Sequence, residues 1–502
     1  MIFNNLRQRI LKWFAVSAMI LWCAVVLVSG ALAAQGEEER LLTVHLQGVF
    51  SAEISVIPFE GVKAIKPIAK TPEIKDGETV VLKIPIQYTP GEFVLRIYYR
   101  AKESDSPYPT EKTIFINKQD IELSIDPLRI HDSEKTKFSD GETENTVYLA
   151  FMEENNEKRA QVYFLKEFLS NYDSPESELY AQAVKEFEKR RVEYNTWLNG
   201  QTETHHDLYV GRLFRFQYLP AIDWKASQDE RNRQLLDNYF EQIDLNDSLI
   251  IRSRELNMFM DGYMRLCSMQ AVDEESRDKQ FIEAGRVACE KASKGDPKVY
   301  GWMVDYFYNG YETYGITGGM SVLEKHINNP NCLTSKRQQI IKRLKGMTKL
   351  FPGALAPNFV IGESEGNKFE LHKWKTKAPY KLLLFWSNDC AHCKQLAIKL
   401  EQLIKDPANK EKLDIVAVSL DETETEIRKW EIEKTRFPEL KHLRAIGGVN
   451  GTIANDYAIL STPVMFLMES ESNDIVSIPG NFFELTEFLE KGVKKIKESS
   501  SS

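Results

Sequence analysis

Residues 381–405 read KLLLFWSNDCAHCKQLAIKLEQLIK, and this stretch decides the fold of the C-terminal part of the chain. Its first part, Lys381–Trp386, is almost continuously apolar, which is typical of a β-strand buried on both faces of a sheet. Apolar residues then recur every three or four positions, which predicts a helix from about Cys390 to Lys405. The sequence therefore places Cys390 at the start of a helix that follows a buried strand, with Cys393 one turn further along.

A Cys-x-x-Cys pair in this position is suited to thiol–disulfide exchange. The unpaired N–H groups and the dipole at a helix N-terminus stabilise an anion, so the pKa of the Cys390 thiol should fall. The Cys390 thiolate would attack a substrate disulfide, and Cys393 would resolve the resulting mixed disulfide. The same steps in reverse would oxidise a substrate dithiol, so the direction of electron flow stays open.

Three neighbouring residues are candidates for tuning this redox pair. A protonated His392, between the two cysteines, would favour the Cys390 thiolate and make the pair more oxidising. Asp389 would act in the opposite sense, and either Asn388 or Asp389 can cap the helix. Trp386, at the end of the strand, is the third candidate.

A zinc site is an alternative use of the same motif, because Cys-x-x-Cys can supply two of the four ligands that structural zinc needs. The sequence contains no second Cys-x-x-Cys, and His372, His392 and His442 are scattered over the C-terminal part. We therefore expect neither a metal nor a cofactor at the cysteine pair.

The rest of the C-terminal part has the pattern of a mixed α/β fold. Apolar runs predict strands at Leu413–Leu420, Val464–Met468 and Ile475–Ile478. Helical spacing predicts one helix over Glu422–Lys434 and a closing helix from Asn481 to near Lys497. The predicted order is βαβ followed by ββα.

Four motifs in this order resemble those of the TlpA/ResA type of the thioredoxin superfamily, which overlaps the AhpC/TSA family. They are PGALAPNF at 352–359, FWSNDC at 385–390, the pair Cys390–Cys393, and Ser461-Thr462-Pro463 before an apolar run. The resemblance covers residues 351–497. It implies a thioredoxin-like fold, a redox-active Cys390–Cys393 disulfide, and a cis Thr462–Pro463 peptide bond that faces the disulfide and binds substrate.

The chain departs from thioredoxin at one buried position. Thioredoxin has an acid six residues before its first active cysteine, and Leu384 stands there in this chain. The proton transfer that such an acid assists would need His392, water or another group.

Two other functions compete with disulfide exchange by an enzyme. A thiol peroxidase of the peroxiredoxin type needs Ser or Thr three residues before its cysteine, and Ser387 meets this requirement. It also needs a Pro four residues before that Ser or Thr, and Leu383 stands at that position here. Alternatively, the chain is mainly a binding or envelope-associated protein that carries a thioredoxin module. The presence of both cysteines favours exchange.

The N-terminal residues 1–34 have the layout of an export signal. Basic residues precede an apolar run from Trp13 to Val28, and small residues follow at 31–33. This is the pattern of a cleaved signal peptide, with membrane anchoring through residues 13–33 as the alternative. Export predicts the periplasm or cell envelope, where disulfides persist, with protein thiol or disulfide substrates and a redox partner.

The front 350 residues show two patterns. Short alternating strands separated by turn residues predict a β-sandwich-like domain at 38–126, and helical spacing predicts an all-α domain at 127–350. With the thioredoxin-like α/β domain at 351–497 and a disordered tail at 498–502, the predicted fold class is multidomain.

Charge and the remaining cysteines limit the partners. The formal net charge is −9 without a basic stripe, which argues against a nucleic-acid partner. Three further cysteines follow the apolar run, and Cys267 and Cys289 could bridge two helices. The alternative is that Cys267, Cys289 and Cys332 are small buried apolar residues.

Overall fold

The computed structural model describes residues 39–61, 63–64, 66–269, 271–316, 318–362 and 368–499. The predicted signal peptide or anchor at 1–34 lies outside these residues, as do the last three residues of the predicted tail. The chain divides into two compact units, one up to Tyr306 and one from Phe307 onward. Within the described ranges, no helix combines the length and the apolar composition that crossing a membrane requires.

The first unit begins with a β-sandwich, as the alternating strands predict. Its strands are β1 Glu39–Leu46, β2 Ser51–Glu60, β3 Lys63–Ala64, β4 Ala69–Lys70, β5 Ile74–Lys75, β6 Thr79–Pro85, β7 Gly91–Arg100, β8 Tyr108–Ile116, β9 Ile121–Ile125 and β10 Lys137–Phe138. One sheet has the order β10-β9-β1-β6, and the other has β3-β2-β7-β8 with β4 and β5 also paired to β2. Alternate residues of β1, Leu42, Val44 and Leu46, are buried in a core that both sheets share.

Helices follow the sandwich, as their apolar spacing predicts. They are α1 Glu144–Asn171, α2 Glu178–Thr204, α3 Tyr209–Leu213, α4 Gln228–Asp237, α5 Glu255–Ser268, α6 Glu274–Ala292, α7 Pro297–Tyr314, α8 Gly319–Ile327 and α9 Arg337–Lys349. Cys289 and Cys332 are buried, and Cys267 is a free cysteine. The possible bridge between Cys267 and Cys289 is therefore not formed, because Cys267 is a free cysteine.

The second unit contains a five-stranded sheet. Its strands and helices are β11 Val360–Ile361, β12 Phe369–Glu370, β13 Tyr380–Trp386, α10 Ala391–Lys405, α11 Pro407–Lys410, β14 Leu413–Ser419, α12 Glu424–Glu433, β15 Lys441–Arg444, α13 Thr452–Asp456, β16 Val464–Glu469, β17 Ile475–Ser477 and α14 Phe482–Ser499. The sheet order is β15-β14-β13-β16-β17, and β11 and β12 form a separate hairpin. The sequence interpretation missed the edge strand β15, so the predicted βαβ–ββα order lacks one parallel strand.

The central strand β13 is buried on both faces, as its apolar run predicts. Leu383 and Phe385 belong to one hydrophobic core, while Leu382, Leu384 and Trp386 belong to a second core that includes Cys393. β13 pairs in parallel with β14 and antiparallel with β16. The strand that leads to the cysteines is therefore held by neighbours on all four sides.

Lys381 is the polar exception in β13. Its side chain is buried, and its ammonium group donates a hydrogen bond to Asn473 Oδ1 at 2.9 Å. The same nitrogen lies 5.4 Å from the centroid of the Trp374 ring. Burial lowers the pKa of Lys381 from its ordinary value of 10.5, because an apolar environment disfavours the charged form.

Lys381→Met should change how the stability of the protein depends on pH. The pKa of Lys381 is lower in the folded state, so the folded protein binds fewer protons there than the unfolded chain as pH rises toward 10.5. Wild-type stability should therefore rise with pH in that window relative to Lys381→Met. The measurement is the urea midpoint of both proteins from neutral pH to pH 10.5. Lys377→Met, at an exposed lysine in the preceding loop, is the control; equal pH profiles for Lys381→Met and wild type would contradict the interpretation.

Candidate active site

The turn between β13 and α10 is fixed by a buried carboxylate. Asp421 accepts hydrogen bonds from Ser387 Oγ at 3.0 Å and from the Asn388 amide at 3.0 and 3.1 Å. Ser419 Oγ, at the end of β14, donates to the same carboxylate at 2.7 Å. Parallel strands end at the same edge of a sheet, so the end of β14 brings this acid to the turn that follows β13.

Cys390 stands immediately before α10 and acts as its cap. The sulfur of Cys390 accepts a hydrogen bond from the Cys393 amide at 3.1 Å. The expectation that Asn388 or Asp389 caps the helix is therefore wrong, because the helix begins at Ala391 and leaves Cys390 in the capping position. The sulfur therefore lies at the N-terminus of α10 and accepts a hydrogen bond from the first helical turn, which is an environment that stabilises a thiolate.

The two cysteines differ in exposure. They form a disulfide with a Cα–Cα distance of 5.2 Å. Cys390 is half-buried, whereas Cys393 is fully buried against the second core of the sheet. A substrate sulfur can therefore approach Cys390 from solvent but cannot reach Cys393 directly.

The loop before β16 lies opposite the disulfide. The Thr462 carbonyl oxygen is 3.4 Å from Cys390 Sγ. The Thr462–Pro463 peptide bond is cis, which is the geometry that the family resemblance implies. Thr462 and Pro463 are both half-buried, so this loop next to Cys390 is partly exposed to solvent.

The predicted tuning residues His392 and Asp389 are both exposed. His392 lies in the first turn of α10, and it forms no ion pair with any residue that the structure describes. Asp389 forms an ion pair with Lys429 of α12 at 3.0 Å. Lys429, which the sequence interpretation missed, partly offsets the negative charge of Asp389 beside the Cys390 sulfur, although an exposed pair acts weakly.

The third tuning candidate, Trp386, packs beneath the cysteine pair. It is fully buried in the same core as Cys393. Its ring centroid lies 6.0 Å from that of His442 and 6.3 Å from that of Phe437. Burial lowers the pKa of His442 from 6.5, so His442 is neutral at pH 7 and adds no positive charge behind Trp386.

The position that carries an acid in thioredoxin is apolar here, as the sequence shows. Leu384 is fully buried in the core that contains Cys393. Glu401 of α10 is also buried, but it accepts a hydrogen bond from the Glu439 amide at 3.2 Å and lies 3.5 Å from Lys405 Nζ. Glu401 is two turns beyond Cys393 on the helix, so it does not replace the missing acid at the disulfide.

Two of the histidines that are candidate zinc ligands contact backbone carbonyl oxygens instead. Nε2 of His372 lies 2.7 Å from the Ala356 carbonyl oxygen, and Nε2 of His442 lies 2.8 Å from that of Phe437. Throughout the described part of the chain, no group of three or more His, Cys, Asp or Glu side chains is arranged to hold a metal ion. The geometry at Cys390 and Cys393 is that of a disulfide.

Comparison with known proteins gives similarities over this region. Residues 352–483 match the AhpC/TSA family. The thiol-disulfide oxidoreductase ResA of Bacillus thuringiensis subsp. konkukian is 32% identical over 149 residues, which cover 30% of this chain and 80% of that protein. ResA of Bacillus anthracis is 30% identical over 152 residues, with the same coverage of 30% and 80%. Among solved structures, a thioredoxin-like protein from Bacteroides caccae is 18% identical with a TM-score of 0.35, over 54% of this chain and 97% of that chain.

The family match includes each part of the site described above. It contains the strand β13, the Cys390–Cys393 disulfide and the Thr462–Pro463 loop. The ResA relatives are matched over most of their own length at 30% identity or more. Through its C-terminal domain, this chain belongs to the TlpA/ResA-like family of thioredoxin-fold thiol–disulfide oxidoreductases.

Proposed function

We propose that the chain is an extracytoplasmic oxidoreductase that exchanges disulfides with protein substrates through Cys390 and Cys393. The observation that supports this proposal most directly is the difference between the two sulfurs. The Cys390 sulfur is accessible at the start of a helix, 3.4 Å from the Thr462 carbonyl oxygen, and the Cys393 sulfur is buried behind it. The extracytoplasmic location rests on the signal-like residues 1–34. A redox partner in the same compartment would return the pair to its starting state.

The exchange proceeds in two balanced displacements. The Cys390 thiolate attacks one sulfur of a substrate disulfide, forms a mixed disulfide and releases the other substrate sulfur as a thiolate that takes up a proton. Cys393 then loses its proton and attacks Cys390 Sγ, which releases the second substrate sulfur and forms the Cys390–Cys393 disulfide. The protein loses two electrons, and the substrate gains them.

The partly exposed loop at Thr462, next to Cys390, supports an extended protein segment as the substrate. Its carbonyl faces the reacting sulfur, and Pro463 beside it offers no N–H donor. Backbone hydrogen bonds at Thr462 would position a substrate cysteine over Cys390 without selecting its side chains. Positioning of this kind lowers the barrier by fixing the geometry of the attacking and attacked sulfurs.

Cys393→Ser should trap substrates, and Cys390→Ser should not. Without the resolving thiol, the mixed disulfide on Cys390 persists, whereas loss of Cys390 removes the first displacement. The measurement is mass spectrometry of adducts formed with a disulfide-containing peptide, together with insulin reduction by each variant. Both variants should reduce insulin at the uncatalysed rate.

A peroxidase would give a different result in the same proteins. Stoichiometric consumption of peroxide by reduced wild type, without a mixed disulfide on Cys393→Ser, would contradict disulfide exchange as the activity.

Asp421→Asn should slow exchange and destabilise the turn before Cys390. An asparagine retains one acceptor oxygen but turns an NH₂ group toward the Asn388 amide or the Ser419 hydroxyl, and an unsatisfied buried donor costs about 1–3 kcal/mol. We expect an exchange rate about tenfold lower, because the reacting sulfur is less well positioned. The measurements are the denaturation midpoint and the rate of insulin reduction.

Asp414→Asn, at the opposite end of β14, is the matched control. Its carboxylate accepts a hydrogen bond from the Ile415 amide, so this variant should keep the wild-type rate. Equal rates for Asp421→Asn and wild type would show that the carboxylate does not position Cys390.

A further inference from the structure

The helix α9 carries an unusual charge for this acidic chain. Its sequence, RQQIIKRLKGMTK, has five basic residues and no acidic one, whereas the whole chain has a formal charge of −9. Arg337 donates to the Cys332 carbonyl at 3.0 Å, and Arg343 forms an ion pair with Glu312. These two arginines therefore have partners within the fold, and the remaining basic residues of α9 are three lysines.

The three lysines lie on one face of α9. Lys342, Lys345 and Lys349 are spaced by three and four residues, which places them side by side along a helix. Lys342 donates to the Val449 carbonyl at 2.9 Å. Lys345 and Lys349 are exposed, and neither forms an ion pair with a described residue. This face, the lysine face of α9, is defined by these three residues.

The lysine face lines a cavity of about 700 Å³. The opposite wall is formed by the segment 449–460, which contributes Asn450, Asn455 and Asp456. Asp456 is the one acidic residue among the described residues that line the cavity, against three lysines. The cavity is therefore polar and positively charged, and it suits a ligand with several carboxylates.

The same cavity reaches the substrate-binding loop. Leu460 lines it, and Thr462, two residues further along, has its carbonyl oxygen 3.4 Å from Cys390 Sγ. Two residues span at most about 7 Å. α9 is also packed tightly on this segment, because a Cβ atom added at Gly346 would lie 2.6 Å from the Cβ of Ala458.

We propose that the lysine face of α9 binds an acidic segment of the protein substrate while the substrate disulfide lies at Cys390. This inference rests on the proposed function and adds a substrate class to it. Lys345 and Lys349 pair with Asp or Glu side chains a few residues from the substrate cysteine, and the Thr462 backbone holds the residues next to that cysteine. The positive charge on α9 then selects the substrate, and the cysteine pair carries out the disulfide exchange.

The test compares two peptide disulfides that differ only in charge. One has Asp and Glu residues on one side of its cysteine, and the other has Asn and Gln at the same positions. The full chain is first reduced with a dithiol, and the dithiol is then removed. The measurement is the second-order rate constant with which this reduced protein reduces each peptide. Wild type should reduce the acidic peptide about fivefold faster or more at low salt, as expected for two or three exposed ion pairs. The preference should shrink in about 0.5 M NaCl.

Lys345→Glu/Lys349→Glu should abolish or reverse this preference. The ratio of two rates is compared, so a partial loss of folded protein cancels. Lys375→Glu/Lys377→Glu is the matched control, because it changes the net charge equally at exposed lysines in the loop before β13, at the end of the sheet opposite Cys390. This control should retain the wild-type preference.

Three results would overturn the inference while leaving the proposed function intact. The first is equal reduction of both peptides by wild type at low salt. The second is an unchanged preference in Lys345→Glu/Lys349→Glu. The third is an equal loss of preference in both double variants, which would show an effect of net charge alone. Failure of wild type to reduce either peptide would instead overturn the proposed function, and the inference with it.

Discussion

The hydrogen bond from the Cys393 amide to the Cys390 sulfur, 3.1 Å long, is the contact around which this domain is arranged. It requires Cys390 to stand at the first unpaired N–H groups of α10, and every neighbouring element restricts that position. β13 is buried on both faces, so its end cannot shift. Asp421 fixes the turn that follows, and the Thr462 carbonyl faces the sulfur from the other side.

The two sulfurs lie in different surroundings, which fits the different roles that we propose for them. Cys390 lies among backbone dipoles and solvent, which favour its thiolate. Cys393 lies in an apolar core with Leu384 and Trp386, and burial of this kind raises the pKa of a thiol. In the reduced protein we therefore expect the thiolate at neutral pH to form mainly on Cys390, the sulfur that a substrate can reach. The apolar residue at position 384 strengthens this difference, because no buried acid at that position assists deprotonation of Cys393.

Periodic patterns in the sequence predicted the strand and the helix, and the Cys-x-x-Cys motif predicted the redox pair. Contacts between residues that are far apart in the sequence were not predicted. The strand and the helix are buried against the core, and burial requires apolar residues at regular positions. The run KLLLFW and the apolar spacing after Cys390 are therefore visible within one short stretch of sequence. β15 was missed because this short edge strand, Lys441–Arg444, has polar and half-exposed side chains without a clear period. Asp421 was missed because its partner Asn388 is 33 residues earlier, and only the adjacent ends of β13 and β14 bring them together. The helix cap was assigned to the wrong residue because capping propensities favour Asn and Asp over Cys.

The central claim is that Cys390 is the accessible thiolate and Cys393 the shielded thiol. It is tested most directly by alkylating the reduced protein with iodoacetamide across a range of pH and locating the modified cysteine by mass spectrometry. The account predicts that Cys390 is alkylated first, with an apparent pKa below the value of about 8.5 for a free cysteine, while Cys393 stays unmodified. Equal modification of both cysteines, or a pKa of Cys390 at or above that of a free cysteine, would contradict it.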